Sequence, residues 1–179
     1  MQKVIRPFIL EKTYSTPNLL KKRTNDQNMK IFLDTAVYED IEKANQSGLI
    51  DGVTTNPSLI LKSGGDPVET IKKISGDFPF FESISAEVVA DNALEMVDQA
   101  QAFKDMQNVT IKVPLTVEGL KACKLLSQDG FTVNVTLCFS VAQAILASKA
   151  GATYISPFVG RVDDNSFDGL ELVGDIAKL

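Results

Sequence analysis

From Lys30 onward the chain alternates short aliphatic runs with longer amphipathic stretches at intervals of about 25 residues, a rhythm that leaves few folds open. The runs fall at 30–35, 52–55, 80–88, 109–114, 131–137 and 153–158 and read as strands. Their polar residues recur on one side only. Asp34 follows Ile31, Phe32 and Leu33; Thr54 and Asn56 alternate with Val53 and Thr55; Ser83, Ser85 and Glu87 alternate with Ile84, Ala86 and Val88. Thr110 and Lys112 alternate with Val109, Ile111 and Val113, Thr132, Asn134 and Thr136 with Val133, Val135 and Leu137, and Ser156 follows Ile155. Successive strand side chains point to opposite faces, so each run puts its aliphatics on one surface and its polar groups on the other. Strands buried on both faces are usually continuous aliphatic runs, because an unpaired polar group inside costs roughly 1–3 kcal/mol. A polar set repeated in phase through every run therefore predicts a site.

The intervening stretches carry helix signals. They are predicted at 37–46, stopped by Gly48; at 67–74, with Asp66 as N-cap and Pro67 opening the first turn; and at 92–103, capped by Asp91. Further helices are predicted at 117–127, stopped by Asp129 and Gly130; at 141–150, between Ser140 and Gly151; and at 169–178 after a polar loop. Strand-helix alternation with short loops predicts a parallel sheet. An open doubly wound sheet and a (β/α)8 barrel both fit. No GxGxxG or GxxxxGK[ST] follows the first run, which weakens the nucleotide-binding open sheet. Polar residues from six successive strands suit a barrel, whose inward side chains converge on one mouth at the strand C-termini. The expected fold is α/β of the (β/α)8 TIM-barrel type, with only six βα units present in this chain.

Composition narrows the chemistry. Cys123 and Cys138 are the only cysteines and there is no histidine, which removes His/Cys zinc sites, the Ser-His-Asp triad and any Cys-His dyad. Catalysis must use Lys, Asp, Glu, Ser, Thr, Asn, Tyr or Arg, and no metal is expected. A net charge of −5 without a basic patch beyond residue 30 argues against nucleic acid. No apolar stretch approaches the roughly 20 residues that span a bilayer, so no membrane association is expected. Two glycosylation sequons, at Asn108 and Asn134, lie inside strand patterns that leave no room for a glycan, and a cytoplasmic protein is the expectation. Residues 1–28 carry Lys3, Arg6, Lys12, Lys21, Lys22 and Arg23 against Glu11 and Asp26. They lack the apolar core of a signal peptide, and Met29 immediately precedes the first strand. We expect 1–28 to be a basic, flexible N-terminal extension and 29–179 an incomplete barrel domain.

Lys112 is the sharpest candidate. An exposed lysine, with a pKa near 10.4, offers its free amine in only about one molecule in 2,500 at pH 7. Burial disfavours the ammonium and brings catalytic lysines to about 7–8, where Schiff-base chemistry becomes accessible. From this run alone the alternatives stand open: a nucleophile facing a barrel interior, or a structural lysine that snorkels at the sheet edge or pairs with Glu87 or Asp34. Iminium chemistry also needs a carboxylate near the bond that breaks, which Asp34 can supply, and a proton relay, for which Glu87 and Thr136 acting through a water are suited. Asn56, Asn134 and Ser156 can hydrogen-bond a polyhydroxylated substrate, although Asn56 before Pro57 equally suits a turn.

The segments 32–36 (Phe-Leu-Asp-Thr-Ala), 53–59 (Val-Thr-Thr-Asn-Pro-Ser-Leu), 85–88 (Ser-Ala-Glu-Val), 111–114 (Ile-Lys-Val-Pro), 134–136 (Asn-Val-Thr) and 156–161 (Ser-Pro-Phe-Val-Gly-Arg) together resemble the transaldolase family, in the short bacterial subfamily that includes fructose-6-phosphate aldolases. The resemblance covers residues 30–179. It implies Lys112 as the Schiff-base lysine, Asp34 as the acid-base carboxylate, and Glu87 with Thr136 as the pair that positions a catalytic water. It implies Asn56, Asn134 and Ser156 as ligands of the dihydroxyacetone unit and Arg161 as a phosphate ligand, a role suited to the guanidinium fork. The implied reaction moves a dihydroxyacetone unit from fructose 6-phosphate or sedoheptulose 7-phosphate to an aldose phosphate, in the pentose phosphate pathway, with sugar phosphates as partners and no cofactor. Relatives that resemble the aldolases carry Gln at position 87 and Tyr at position 158; Glu87 and Phe158 therefore favour the transferase, with the aldolase as alternative. Relatives also continue for two further strand-helix units and a terminal helix used in ring assembly. The expectation is accordingly a C-terminally truncated chain for which homo-oligomer formation, or a role as an inactive barrel fragment, stays open.

Overall fold

The computed structural model describes residues 8–9, as a short strand, and residues 29–62 and 64–179. Apart from residues 8–9, the expectation for the N-terminal extension lies outside the described residues. The strands are β1 (Phe8–Ile9), β2 (Phe32–Asp34), β3 (Gly52–Thr54), β4 (Ser83–Glu87), β5 (Val109–Pro114), β6 (Thr132–Cys138) and β7 (Tyr154–Pro157). The helices are α1 (Tyr38–Asn45), α2 (Pro57–Lys62), α3 (Pro67–Asp77), α4 (Ala93–Ala100), α5 (Val117–Gln128), α6 (Val141–Ala150), α7 (Val159–Asp164) and α8 (Gly169–Ile176).

Strands β2 to β7 lie side by side in chain order and all run parallel, while β1 pairs antiparallel with the outer edge of β7. This order decides between the two predicted architectures. A doubly wound sheet reverses its strand order at a switch point; here each new strand joins the one before it, as in a barrel. The sheet also curls. Strands β2 and β7 stand five spacings apart in the order, about 24 Å across if the sheet were flat at about 4.8 Å per strand. Yet the rings of Phe32 and Tyr154, which project from those two strands, meet edge to face with centroids 6.2 Å apart. The result is a half-barrel of six parallel strands.

The convex face holds the core. Val53, Ile84, Ile111, Val113, Val133, Val135 and Ile155 are buried there against Ile41, Ile71, Met96, Leu126, Ala144 and Ile176 from the helices. Thr55 is the polar member of this face; it is fully buried, and its hydroxyl donates to the Ser85 carbonyl at 2.7 Å. On the concave side Gly52 faces the Phe32 ring. A Cβ there would lie 2.7 Å from the ring and 2.2 Å from the Ser83 carbonyl oxygen, so the close approach requires glycine.

Several boundaries differ from expectation for identifiable reasons. The predicted strand at 80–88 begins only at Ser83, because Phe80 and Phe81 join Phe78 in an aromatic cluster, with Phe78 and Phe81 stacked at 5.0 Å. Asn92, not Asp91, caps α4, accepting from the Glu95 amide at 3.0 Å, and the helix gives way to a 3-10 turn at Gln101–Phe103. The short helices α2 and α7 are not among the predicted ones; they occupy the turn suited to Asn56 before Pro57 and the polar loop after the last strand. The caps at Asp66 and Ser140 and the left-handed Gly151 lie where the sequence placed them.

Candidate active site

The polar residues of the strands gather on the concave face. Glu87 and Lys112 are partners in the β4–β5 register, and Lys112 and Asn134 are partners in the β5–β6 register. Three adjacent parallel strands thus put a carboxylate, an ammonium and an amide on one level. Lys112 Nζ lies 2.9 Å from Glu87 Oε2 and donates to the Thr55 carbonyl at 3.0 Å. Its side chain is 12% exposed and that of Glu87 23%, so the pair is enclosed but reachable from the mouth. Lys112 is therefore turned inward toward Glu87 on a central strand, which leaves the nucleophile and ion-pair readings standing and not the sheet-edge one.

The next level adds hydrogen-bonding groups. Ser156 Oγ donates to Asn134 Oδ1 at 3.0 Å, and Thr136 is the register partner of Ser156. Asn134 and Thr136 are buried. Immediately after Thr136 the β6–β7 register shifts, and Leu137 takes a left-handed φ of 64°. A bulge of this kind bends a strand end and re-aims the residues that follow it, a recurrent device beside active sites. Lower in the interior, Ser83 Oγ donates to Thr110 Oγ1 at 2.7 Å, which satisfies two buried hydroxyls without calling on the site.

Asp34 comes from β2, at the far side of the curl. Its carboxylate is exposed and accepts from Thr54 Oγ1 at 3.0 Å, which fixes its orientation while leaving an oxygen free. Asn56 is drawn the other way: its Oδ1 accepts from the Leu59 amide at 3.0 Å and caps α2, the bland role its place before Pro57 suggested. Phe158 packs against Phe139 with centroids 5.5 Å apart, forming an apolar edge where β6 and β7 end. Arg161 stands apart. Its guanidinium, 72% exposed, faces Asp164 at 3.7 Å and lines a groove with Phe139, Asp168 and Glu171 rather than joining Lys112. The structure thus brings together Lys112, Glu87, Asn134, Thr136 and Ser156, sets Asp34 across from them, and leaves Asn56 and Arg161 on other contacts.

Sequence reasoning missed three contributors to this arrangement: the Thr55 carbonyl, Phe32 and Tyr154. Thr54, which orients Asp34, belongs to the in-phase polar set but carries no predicted role; the Thr55 carbonyl, which holds Lys112, adjoins Asn56, and a backbone acceptor leaves no signal in the sequence. Phe32 and Tyr154 did have one, since each lies two residues from a predicted site residue and shares its face. Among the described residues no three His, Cys, Asp or Glu side chains converge as metal ligands do, and no helix is long and apolar enough to cross a membrane.

A curled sheet of parallel strands with an enclosed lysine–carboxylate pair on its concave face defines a barrel-type protein with a candidate site toward the strand C-termini. Comparison with solved structures agrees on the fold: one described as "Native KDPGal structure" superposes with a TM-score of 0.50, at 19% identity, over 72% of this chain and 57% of that one. The family model described as Transaldolase/Fructose-6-phosphate aldolase matches residues 31–179. Similar curated proteins include a probable transaldolase of Paracoccus denitrificans, 55% identical over 152 residues, and one of Erythrobacter litoralis, 57% identical over 154 residues. A probable transaldolase of Rhizobium meliloti is 53% identical over 152 residues. Each match covers 84% of this chain and 69% of the relative. The chain belongs to the transaldolase/fructose-6-phosphate aldolase family.

Proposed function

We propose that this chain is a transaldolase that acts through a Schiff base on Lys112. The observation that carries the reading is the enclosed pair of Lys112 and Glu87 at 2.9 Å, on the same face as Asn134, Thr136 and Ser156. A lysine needs its free amine to attack a carbonyl, and Glu87 is placed to take the proton as a ketose C2 enters. The carbinolamine then loses its hydroxyl as water, with Glu87 returning the proton through a water held near Thr136, and the iminium forms. Asp34 removes the proton from the C4 hydroxyl, the C3–C4 bond breaks to release an aldehyde, and its electron pair is held as the enamine. The enamine adds to the carbonyl of an aldose phosphate, Asp34 returns the proton, and hydrolysis frees Lys112. Asn134 and Ser156 hold the hydroxyls of the dihydroxyacetone unit throughout. The donors we assign are fructose 6-phosphate and sedoheptulose 7-phosphate, which places the reaction in the pentose phosphate pathway of the cytoplasm. Arg161 serves the phosphate once its guanidinium leaves Asp164.

Phe158 supports transfer over release of free dihydroxyacetone, since a phenyl ring has no proton to give the enamine. The test is covalent trapping: the protein is incubated with fructose 6-phosphate and borohydride and weighed. An adduct on Lys112 that is absent in Lys112→Ala is expected. An unmodified mass in folded protein would count against the nucleophile, and free dihydroxyacetone without an acceptor aldose would identify the aldolase instead.

A further inference from the structure

Below the polar mouth the interior has a floor that crosses the open side of the half-barrel. Phe32 is 2% exposed and Tyr154 7%, and they meet at 6.2 Å from the two outermost parallel strands. The Tyr154 hydroxyl donates to Glu82 Oε1 at 3.1 Å, and the other oxygen of Glu82 pairs with Lys30. Burial, and next the Glu82 carboxylate, hold the Tyr154 phenol well above its usual pKa, so it remains a donor. Gly52 makes room for the Phe32 ring.

Residues two apart on a strand share a face, about 6.6 Å apart along it. Phe32 therefore lies one step below Asp34, and Tyr154 one step below Ser156. No hydrogen-bonded ladder joins β2 to β7, so the gap between them depends on the accumulated curl of the strands between and on whatever touches across it. The Lys112–Glu87 pair is different, because adjacent strands fix it by register.

We infer that the Phe32–Tyr154 contact, braced by Glu82 and Lys30, is a positioning device that sets the reach from Asp34 to the Asn134–Ser156 pair. The inference rests on the Schiff-base reading above and divides the reaction in two. Imine formation at Lys112 draws on β3 to β6, neighbours whose spacing register fixes, and does not span the gap between β2 and β7; C3–C4 cleavage needs Asp34 and Ser156 on one substrate and depends on that gap.

Tyr154→Phe keeps the ring contact, whereas Tyr154→Leu, Tyr154→Met, Phe32→Leu and Phe32→Met remove it while staying apolar. Each variant is checked for cooperative unfolding, then assayed for borohydride trapping with fructose 6-phosphate and for kcat of transfer to an aldose phosphate. Tyr154→Phe, which keeps the ring but loses the hydroxyl held by Glu82, is expected to trap like the parent while kcat falls by less than in the ring-deleted variants. The ring-deleted variants are expected to trap like the parent while kcat falls about 10- to 100-fold, the scale of a misplacement near 1 Å. Parent-like kcat in a folded ring-deleted variant, an equal fall in trapping and kcat, or the failure of all four to fold would each overturn the inference. An untrapped parent is a separate result that removes the Schiff-base reading itself.

Discussion

The Lys112–Glu87 pair lends itself to a thermodynamic cycle built from Lys112→Met, Glu87→Gln and the double variant. At 2.9 Å two unit charges attract by roughly 6 kcal/mol in an effective dielectric of about 20. Most of that is offset by the desolvation of two ions, and the 12% and 23% exposures leave some screening by water. Charge-assisted hydrogen bonds retain about 1.5–3 kcal/mol net, so a coupling of about 2 kcal/mol is expected. Lys112→Met strands a carboxylate in the interior and should destabilise by about 3 kcal/mol, the low end for a broken buried pair. Glu87→Gln leaves an amide oxygen able to accept from Nζ and should cost about 1–2 kcal/mol. The double variant should then be less destabilised than the sum by the coupling energy. Equilibrium urea unfolding of the four proteins measures this directly. Additivity within about 0.5 kcal/mol would refute the claim that the two side chains act as one unit.

Asp34→Asn should keep borohydride trapping at Lys112 while transfer falls by about 10²- to 10⁴-fold, the usual contribution of one general base; equal loss of both would remove Asp34 from the cleavage step. Gly52→Ala places a methyl 2.2 Å from a backbone oxygen and should lower stability in urea by about 1–3 kcal/mol, whereas a parent-like midpoint would contradict the tight floor. Ile111→Ala, at a fully buried position, should cost about 2–5 kcal/mol in the same assay. Burial pushes the Cys123 thiol up to about 12 from an unperturbed 9.0. Its contribution to stability is therefore full below pH 9.0 and is lost as pH rises toward 12. A thiol-reactive disulfide should label Cys123 at pH 8 only in denaturant, and rapid labelling of folded protein would count against the buried site.

The sequence disclosed those parts of the fold that follow from local pattern. The alternation around Lys112 and Asn134 told which side chains share a face, and Asp66, Ser140 and Gly151 marked helix ends because caps act within one turn. What it could not disclose is set by side-chain packing and by short turns whose local signals are weak. That Phe81 would stack on Phe78, with Phe80 edge to face against both, instead of extending β4 depends on packing, and the choice between Asp91 and Asn92 as cap depends on which one the chain enters extended. For the site, the phase of the runs identified the groups that converge. The destinations of Asn56 and Arg161 hung on the short helices α2 and α7, and weak local turn signals hid both.

The antiparallel pairing of β1 with β7 bears on how copies of this chain meet. Phe8 and Ile9 run against Ile155 and Tyr154 and take up the backbone groups on the side of β7 away from β6. At the opposite margin β2 is three residues long and ends in the charged Asp34. Sheets whose margins are occupied, short or charged resist stacking rim to rim into fibrils. At these two rims the curled sheet can therefore keep its polar hollow without offering a long bare strand to a neighbour.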